Sequence, residues 1–224
     1  VSAISLNAMS YEFSGGATMS ENEIVILSGV RTAIGTFGGS LAAIPPIQLA
    51  TTVTRAAIER AGISPERIGT VVFGHVLNTE PRDMYLSRVA MLDAGVPNTT
   101  PAMNVNRLCG SGAQAIVSAT QALLLGDADF AVAGGAESMS RAPYAVPSAR
   151  FGAKMGDVQM LDMMVGALTC PMGTGHMGVT AENVAAENNI SREAQDAFAL
   201  ESQNRAARAI AEGRHVDVME MDAA

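Results

Sequence analysis

Hydrophobic positions fall along the chain in short continuous runs that alternate with stretches of helical spacing. Ile24 to Leu27 (IVIL) is an unbroken apolar run ending at Gly29, the pattern of a strand covered on both faces. A glycine-rich loop follows from Gly35 to Gly39. Pro45 and Pro46 then open a helix in which Ala50, Val53, Ala57 and Ala61 share a face and Gly62 is the stop. Val71 to Phe73 predicts a second strand that ends near Val76. Met84 to Ala94 predicts a helix closed by Gly95 and Pro97. Ala102 to Asn106 reads as a third strand. From Ser111 to Leu125 the residues are mostly small or apolar, with no proline and no glycine after Gly112. This predicts a largely buried helix, stopped by Gly126. Phe130 to Ala133 is the next strand, and Gly134-Gly135 reads as a tight turn after it. Strands and helices alternate in this way to about residue 139. The fold class is therefore α/β, with a mixed, largely parallel sheet covered by helices.

The texture changes after residue 139. The stretch to residue 179 is rich in glycine and methionine, including Met155, Met160, Met163, Met164, Met172 and Met177. It is too long for an ordinary connection and predicts an inserted loop subdomain. Two helices then follow, one over Thr180 to Asn188 and one from Ser191, a good N-cap with Glu193 in the first turn, to Gly213. Residues 1–18 carry neither Lys nor Arg, which fits no secretory or mitochondrial signal. They read as a leader, with Met19 a plausible native start. The expected organisation is thus a leader over 1–18, an α/β domain over 19–139, and a loop subdomain with helices over 140–224.

Composition narrows the function classes. Of 224 residues 16% are charged, and the net charge is −8. A balance so acidic offers no basic face for nucleic acid and no general attraction to anionic membranes. No apolar run reaches the length of a membrane span. So low a charged fraction predicts surface hidden against another domain or subunit. The two cysteines, Cys109 and Cys170, form neither a disulfide framework nor a metal-ligand cluster. They favour a reducing cytoplasm and no bound metal.

Cys109 sits between a strand and a helix, in the run NVNRLCGSG. Free N–H groups and the helix dipole at such a point favour a thiolate. Gly110 and Gly112 leave room for a substrate beside it. Placement alone leaves two readings open, a nucleophile or an ordinary buried thiol.

The surrounding words distinguish them. NRLCGSG (106–112) resembles the nucleophile motif of thiolases. RTAIGTFGGSL (31–41), AGGAESMS (133–140), HMGVTAENVA (176–185) and SREAQDAFALESQNRAARA (191–209) resemble other thiolase segments in the same order. Five blocks in order, spanning roughly 24–213, are far more specific than any one. The resemblance implies an acyltransferase that forms or cleaves 3-ketoacyl-CoA such as acetoacetyl-CoA. The cysteine matching Cys109 would become acylated by an acyl-CoA, and its N–H would contribute to an oxyanion hole. A second acetyl-CoA would then condense with the acyl-enzyme, or free CoA would cleave a 3-ketoacyl-CoA in reverse. Coenzyme A thioesters would be substrates, with no cofactor held permanently. The partner of the full enzyme would be a further copy of itself, as a dimer or tetramer.

By the same resemblance, His176 and Met177 would contact the pantetheine and acyl end of the substrate. Taken in isolation they would read as a hydrogen-bonded histidine and a packed methionine. Met155 to Asp157 resembles a loop used in subunit assembly. His75 and His215 match no family role and read as structural or solvent-exposed, and Cys170 reads as a packed thiol. The family's GHP, NEAF and CxGGG motifs, with its activating histidine and second cysteine, do not occur in these 224 residues. The chain is therefore expected to stop before the C-terminal domain and to be inactive alone. Alternatives are another condensing enzyme, such as a ketoacyl synthase, or a non-catalytic fragment that binds CoA or a partner chain.

Overall fold

The computed structural model describes residues 6–9, 23–214 and 218–219; His215 lies outside them. In chain order the elements open with strands β1 (Leu6–Met9), β2 (Glu23–Ile26) and β3 (Arg31–Thr32). Helix α1 (Pro46–Ala61), strand β4 (Thr70–Gly74), helix α2 (Leu86–Asp93), strand β5 (Ala102–Val105), helix α3 (Ser111–Leu124) and strand β6 (Ala131–Gly135) follow. Next come β7 (Tyr144–Ala145), β8 (Leu161–Asp162), α4 (Met163–Ala167), β9 (Thr169–Cys170), β10 (Gly175–His176), α5 (Met177–Glu187), α6 (Arg192–Ala211) and β11 (Val218–Met219). The chain divides into two compact units, Val1–Ala142 with Asp217–Ala224, and Pro143–Val216.

The first unit is built on a parallel sheet in the order β5-β4-β6. β4 is its centre, pairing Val71–Gly74 with Ala102–Val105 on one side and Thr70–Gly74 with Ala131–Gly135 on the other. Side chains alternate across the sheet. Val71, Phe73 and Val132 point into a core filled by α1 and α2, whereas Val72, Ala131 and Ala133 pack with Ala115, Ala119 and Leu123 of α3. A strand covered on both faces has no polar side to show, which is why Val71-Val72-Phe73 reads as a continuous apolar run. The α/β class and the parallel sheet under helices are as the periodicity predicts.

Punctuation residues act where expected. Pro46 begins α1, and Gly62 ends it at φ 66°, a conformation that disfavours any side chain with a Cβ. Other details differ. β2 is not covered on both faces: it pairs antiparallel with β1 in a two-stranded sheet, and Ile26 is 63% exposed. α2 begins at Leu86 because Pro81–Tyr85 winds as a 3-10 helix held by a capping box of Glu80 and Asp83. α3 is buried along one stripe only, Ser111, Ala115, Ala119 and Leu123; Val117, Leu124 and Leu125 are exposed. Gly134 and Gly135 do not turn the chain. They belong to β6, opposite Phe73 and Gly74.

The second unit has two-stranded antiparallel pairs, β7 with β8 and β9 with β10, beside α4, α5 and α6. α5 starts three residues earlier than Thr180, because His176 supplies its cap. Ser191 caps α6, its hydroxyl accepting the Ala194 N–H at 3.2 Å. Neither α5 nor α6 contains a buried residue.

Candidate active site

Between the end of β5 at Val105 and the start of α3 at Ser111, five residues turn the chain. Asn106 organises the turn from the sheet side. Its Oδ1 accepts the Leu108 N–H at 3.0 Å, and its Nδ2 donates to the Val76 carbonyl at 3.3 Å. Ser111 organises it from the helix side. Its hydroxyl accepts from the Arg107 N–H at 2.7 Å and donates to the Leu108 carbonyl at 2.6 Å. Between these clamps Leu108 is held at φ 47°, a left-handed conformation that costs a leucine about 1–3 kcal/mol. Cys109 follows directly and is exposed.

Glycines set where this turn meets the sheet. A Cβ on Gly74 would lie 2.6 Å from the Ser111 carbonyl carbon and 2.8 Å from the Gly112 nitrogen. A Cβ on Gly135 would lie 3.1 Å from the Gly74 carbonyl oxygen. The missing side chains let the N-terminus of α3 rest against the C-terminal ends of β4 and β6, where parallel sheets bind their ligands. The N-cap, Gly110, has no side-chain cap. The first-turn N–H groups of α3, which have no partner inside a helix, are thus left without a side-chain acceptor from that residue. A Cβ on Gly112 would meet nothing within 4 Å, and Cys109 is itself exposed.

Behind the turn lies a polar cluster that the sequence patterns do not single out. Glu137 accepts the Val76 and Leu77 N–H groups at 2.8 and 3.1 Å. His75, 5% exposed, donates from Nδ1 to the Ala136 carbonyl at 2.8 Å. Its Nε2 makes no hydrogen bond among the described residues and faces Asp83 Oδ2 across 4.0 Å. Asp83 is fully buried and accepts from the Thr79 N–H, the Thr79 hydroxyl and the Glu80 N–H. Arg141 donates to Glu80 at 3.2 Å and to the Ala43 carbonyl at 3.1 Å. His75 is therefore structural and buried rather than solvent-exposed.

Cys109 belongs to the first unit, His176 and Met177 to the second. His176 is exposed, and its Nδ1 accepts the Gly178 N–H at 3.1 Å to cap α5. In the neutral ring this places the proton on Nε2. Met177 opens the helix, is 41% exposed, and donates its N–H to the Leu168 carbonyl. Cys170 is half-buried at the end of β9. The Thr174 hydroxyl, with the N–H groups of Met172, Thr174 and Gly173, holds its thiol below the ordinary range. It is a thiol in a turn that stabilises its thiolate, not merely a packed one. Asn106 holds the turn and Glu137 the segment it bonds to, but neither stands out in any periodicity. An asparagine directly after a strand, a residue type whose side chain bonds backbone two residues on, was the one local signal.

The first unit is thus a parallel α/β domain that presents a cysteine at the strand ends, on a strained turn at a helix N-terminus. Comparison with known proteins agrees. Residues 24–221 match the family description "Thiolase, N-terminal domain". The chain is 60% identical over 195 residues to the beta-ketothiolase BktB of Cupriavidus necator, covering 87% of this chain and 50% of that protein. It is 44% identical over 187 residues to the cytosolic acetyl-CoA acetyltransferase of Rattus norvegicus, covering 83% and 47%. Among solved structures it resembles human mitochondrial 3-ketoacyl-CoA thiolase in complex with CoA, with a TM-score of 0.79 and 39% identity over 84% of this chain and 48% of that one. The acetyl-CoA acetyltransferase of Bacillus anthracis gives 0.80 and 36%, over 88% and 52%. The chain belongs to the thiolase family through its N-terminal domain. It spans about half the length of the relatives it matches.

Proposed function

We propose that this chain carries the nucleophilic half of a thiolase-type acyltransferase, with Cys109 as the residue acylated by a coenzyme A thioester. The observation that carries the reading is the exposed Cys109 at the N-terminus of α3, on a turn clamped at Asn106 and Ser111. In the first step the Cys109 thiolate attacks the thioester carbonyl. A C–S bond to the enzyme forms, the C–S bond to CoA breaks, and CoA leaves as a thiolate that takes up a proton. N–H groups at a helix start can stabilise the oxyanion of the intermediate. In the second step the enolate of acetyl-CoA attacks the acyl group and releases Cys109; in reverse, CoA cleaves a 3-ketoacyl-CoA. His176 and Met177 contact the pantetheine end in this reading, which their exposure permits. The human thiolase bound to CoA supports the substrate class.

The same reading takes the working enzyme as a homo-oligomer in the cytoplasm. Exposed apolar side chains at Met84, Tyr85 and Met103, near the edge strand β5, support a buried contact there. Two unpaired cysteines suit a reducing compartment. Among the described residues no helix is long and apolar enough to cross a membrane.

Acetyl-CoA incubated with the purified chain should transfer one acetyl group to Cys109, slowly, with one equivalent of CoA released. Peptide mass mapping locates it, and Cys109→Ala should abolish the transfer. Acetylation confined to Cys170, or none at all on folded protein, contradicts the assignment.

A further inference from the structure

We infer that Asn106 is a positioning residue for Cys109, tying the turn that carries the cysteine to the segment after β4 that Glu137 holds. The inference rests on Cys109 being the nucleophile, as proposed above.

The turn contains a conformation that leucine avoids, φ 47° at Leu108. Such a state persists only when its surroundings over-determine it. Ser111 contributes from the helix side, but its two bonds stay within the turn and the first residue of α3. Asn106 reaches elsewhere. It bonds the N–H of Leu108, the strained residue beside Cys109, and the carbonyl of Val76, 30 positions away in sequence. The amide orientation follows from its partners, since only oxygen can accept an N–H and only NH2 can donate to a carbonyl.

Val76 is itself fixed. Its N–H and that of Leu77 both donate to the Glu137 carboxylate, 61 and 60 positions away. One residue earlier, the His75 N–H donates to the Val105 carbonyl at 3.1 Å. The Ala136 N–H donates to the Gly74 carbonyl, also at 3.1 Å. The ends of β4, β5 and β6 are thus linked, and Asn106 connects the cysteine turn to that linkage through a side chain. Hydrogen bonds to an ionised carboxylate are about twice as strong as neutral ones, so Val76 is a firm anchor for the weaker amide contact.

The test uses the 224-residue chain with Cys170→Ser, which leaves one thiol. Alkylation of Cys109 by iodoacetamide near neutral pH, acetyl transfer from acetyl-CoA and the thermal midpoint are measured together. Asn106→Ala should slow alkylation about 2- to 5-fold, the scale of losing register with a helix N-terminus. Asn106→Asp, which keeps an acceptor for the Leu108 N–H but has no N–H to give the Val76 carbonyl, should stay slow as well. Asn104→Ala is the control for general loosening. Asn104 sits on the same edge strand but bonds the Ser87 N–H and the carbonyls of Asp83 and Met84, so alkylation should stay at the parent rate even if the midpoint drops. A parent rate in Asn106→Ala or in Asn106→Asp, or equal slowing in Asn104→Ala, overturns the inference. If Asn106→Ala does not fold, Glu137→Gln decides: slower alkylation at an unchanged midpoint supports the relay, and the parent rate refutes it. Acetyl transfer separates the two claims. A parent chain that is never acetylated, yet shows the alkylation contrast, refutes the nucleophile reading and leaves the positioning role standing.

Discussion

The two cysteines differ in what surrounds them. Cys109 is exposed on a strained turn beside glycines. Cys170 is half-buried in a turn where the Thr174 hydroxyl and three N–H groups favour its thiolate. A thiol labelled near neutral pH reacts through its thiolate, so Cys170 should compete with Cys109 for alkylating reagents. Thr174→Val removes the largest of those stabilising contacts. It should slow alkylation of Cys170 most near neutral pH and least above about pH 9, where an ordinary thiol is already ionised. The rate against pH, read peptide by peptide, checks this. The sign for stability follows from the lowered thiol. Its contribution is complete above the unfolded-state pKa of about 8.5 and is lost as pH falls through the lower folded value.

At the scale of elements, the meeting of α3 with β4 decides where the cysteine stands. The contact is backbone on backbone at Gly74, with no flexible side chain to move aside. Gly74→Ala should therefore push α3 away or bend β4, lowering stability by about 1–3 kcal/mol and slowing acetylation of Cys109. Gly112→Ala lies on the other side of that contact, in the first turn of α3, but its Cβ enters open space and should leave the fold intact. Chemical denaturation of both variants distinguishes a packing constraint from a general preference for glycine. The contrast also explains why α3 carries so many small residues. Ala115 and Ala119 bring the helix close to Ala131 and Ala133 of β6.

At the scale of the whole molecule, the proposed function gives this chain the nucleophile, and the family's GHP, NEAF and CxGGG motifs do not occur in the 224 residues. Each positioned acid or base is worth roughly 10²- to 10⁴-fold in rate, and groups acting as a unit do not add independently. The 224-residue chain alone should show no measurable cleavage of acetoacetyl-CoA. Adding a separately expressed segment with the GHP and CxGGG motifs should restore cleavage, and Cys109→Ala should remove it again. Turnover by the chain alone would contradict this division of labour. α6 exposes Phe198, Leu200 and Ile210 and buries nothing, the state of a helix whose apolar side chains still need cover.

Local pattern was enough for much of this protein. Apolar runs, proline and glycine punctuation and the Ser191 cap define the elements because each acts over a few residues. The placement of Cys109 between strand and helix is legible for the same reason, but placement left nucleophile and ordinary thiol both open, and the resemblance of NRLCGSG to the thiolase motif is what favours the first. Other features were decided only when distant segments met. Phe73 and Val72 face different cores because α1, α2 and α3 pack on opposite sides of one sheet. Gly134-Gly135 resembles a turn in one dimension. It is strand in three, because Gly74 and α3 occupy the space that side chains would need. The clamp on Cys109 joins Asn106 to Val76 and Val76 to Glu137 across 30 and 61 positions. No periodicity encodes such bonds, because donor and acceptor become neighbours only after β4, β5 and β6 align in parallel and bring their C-terminal ends together.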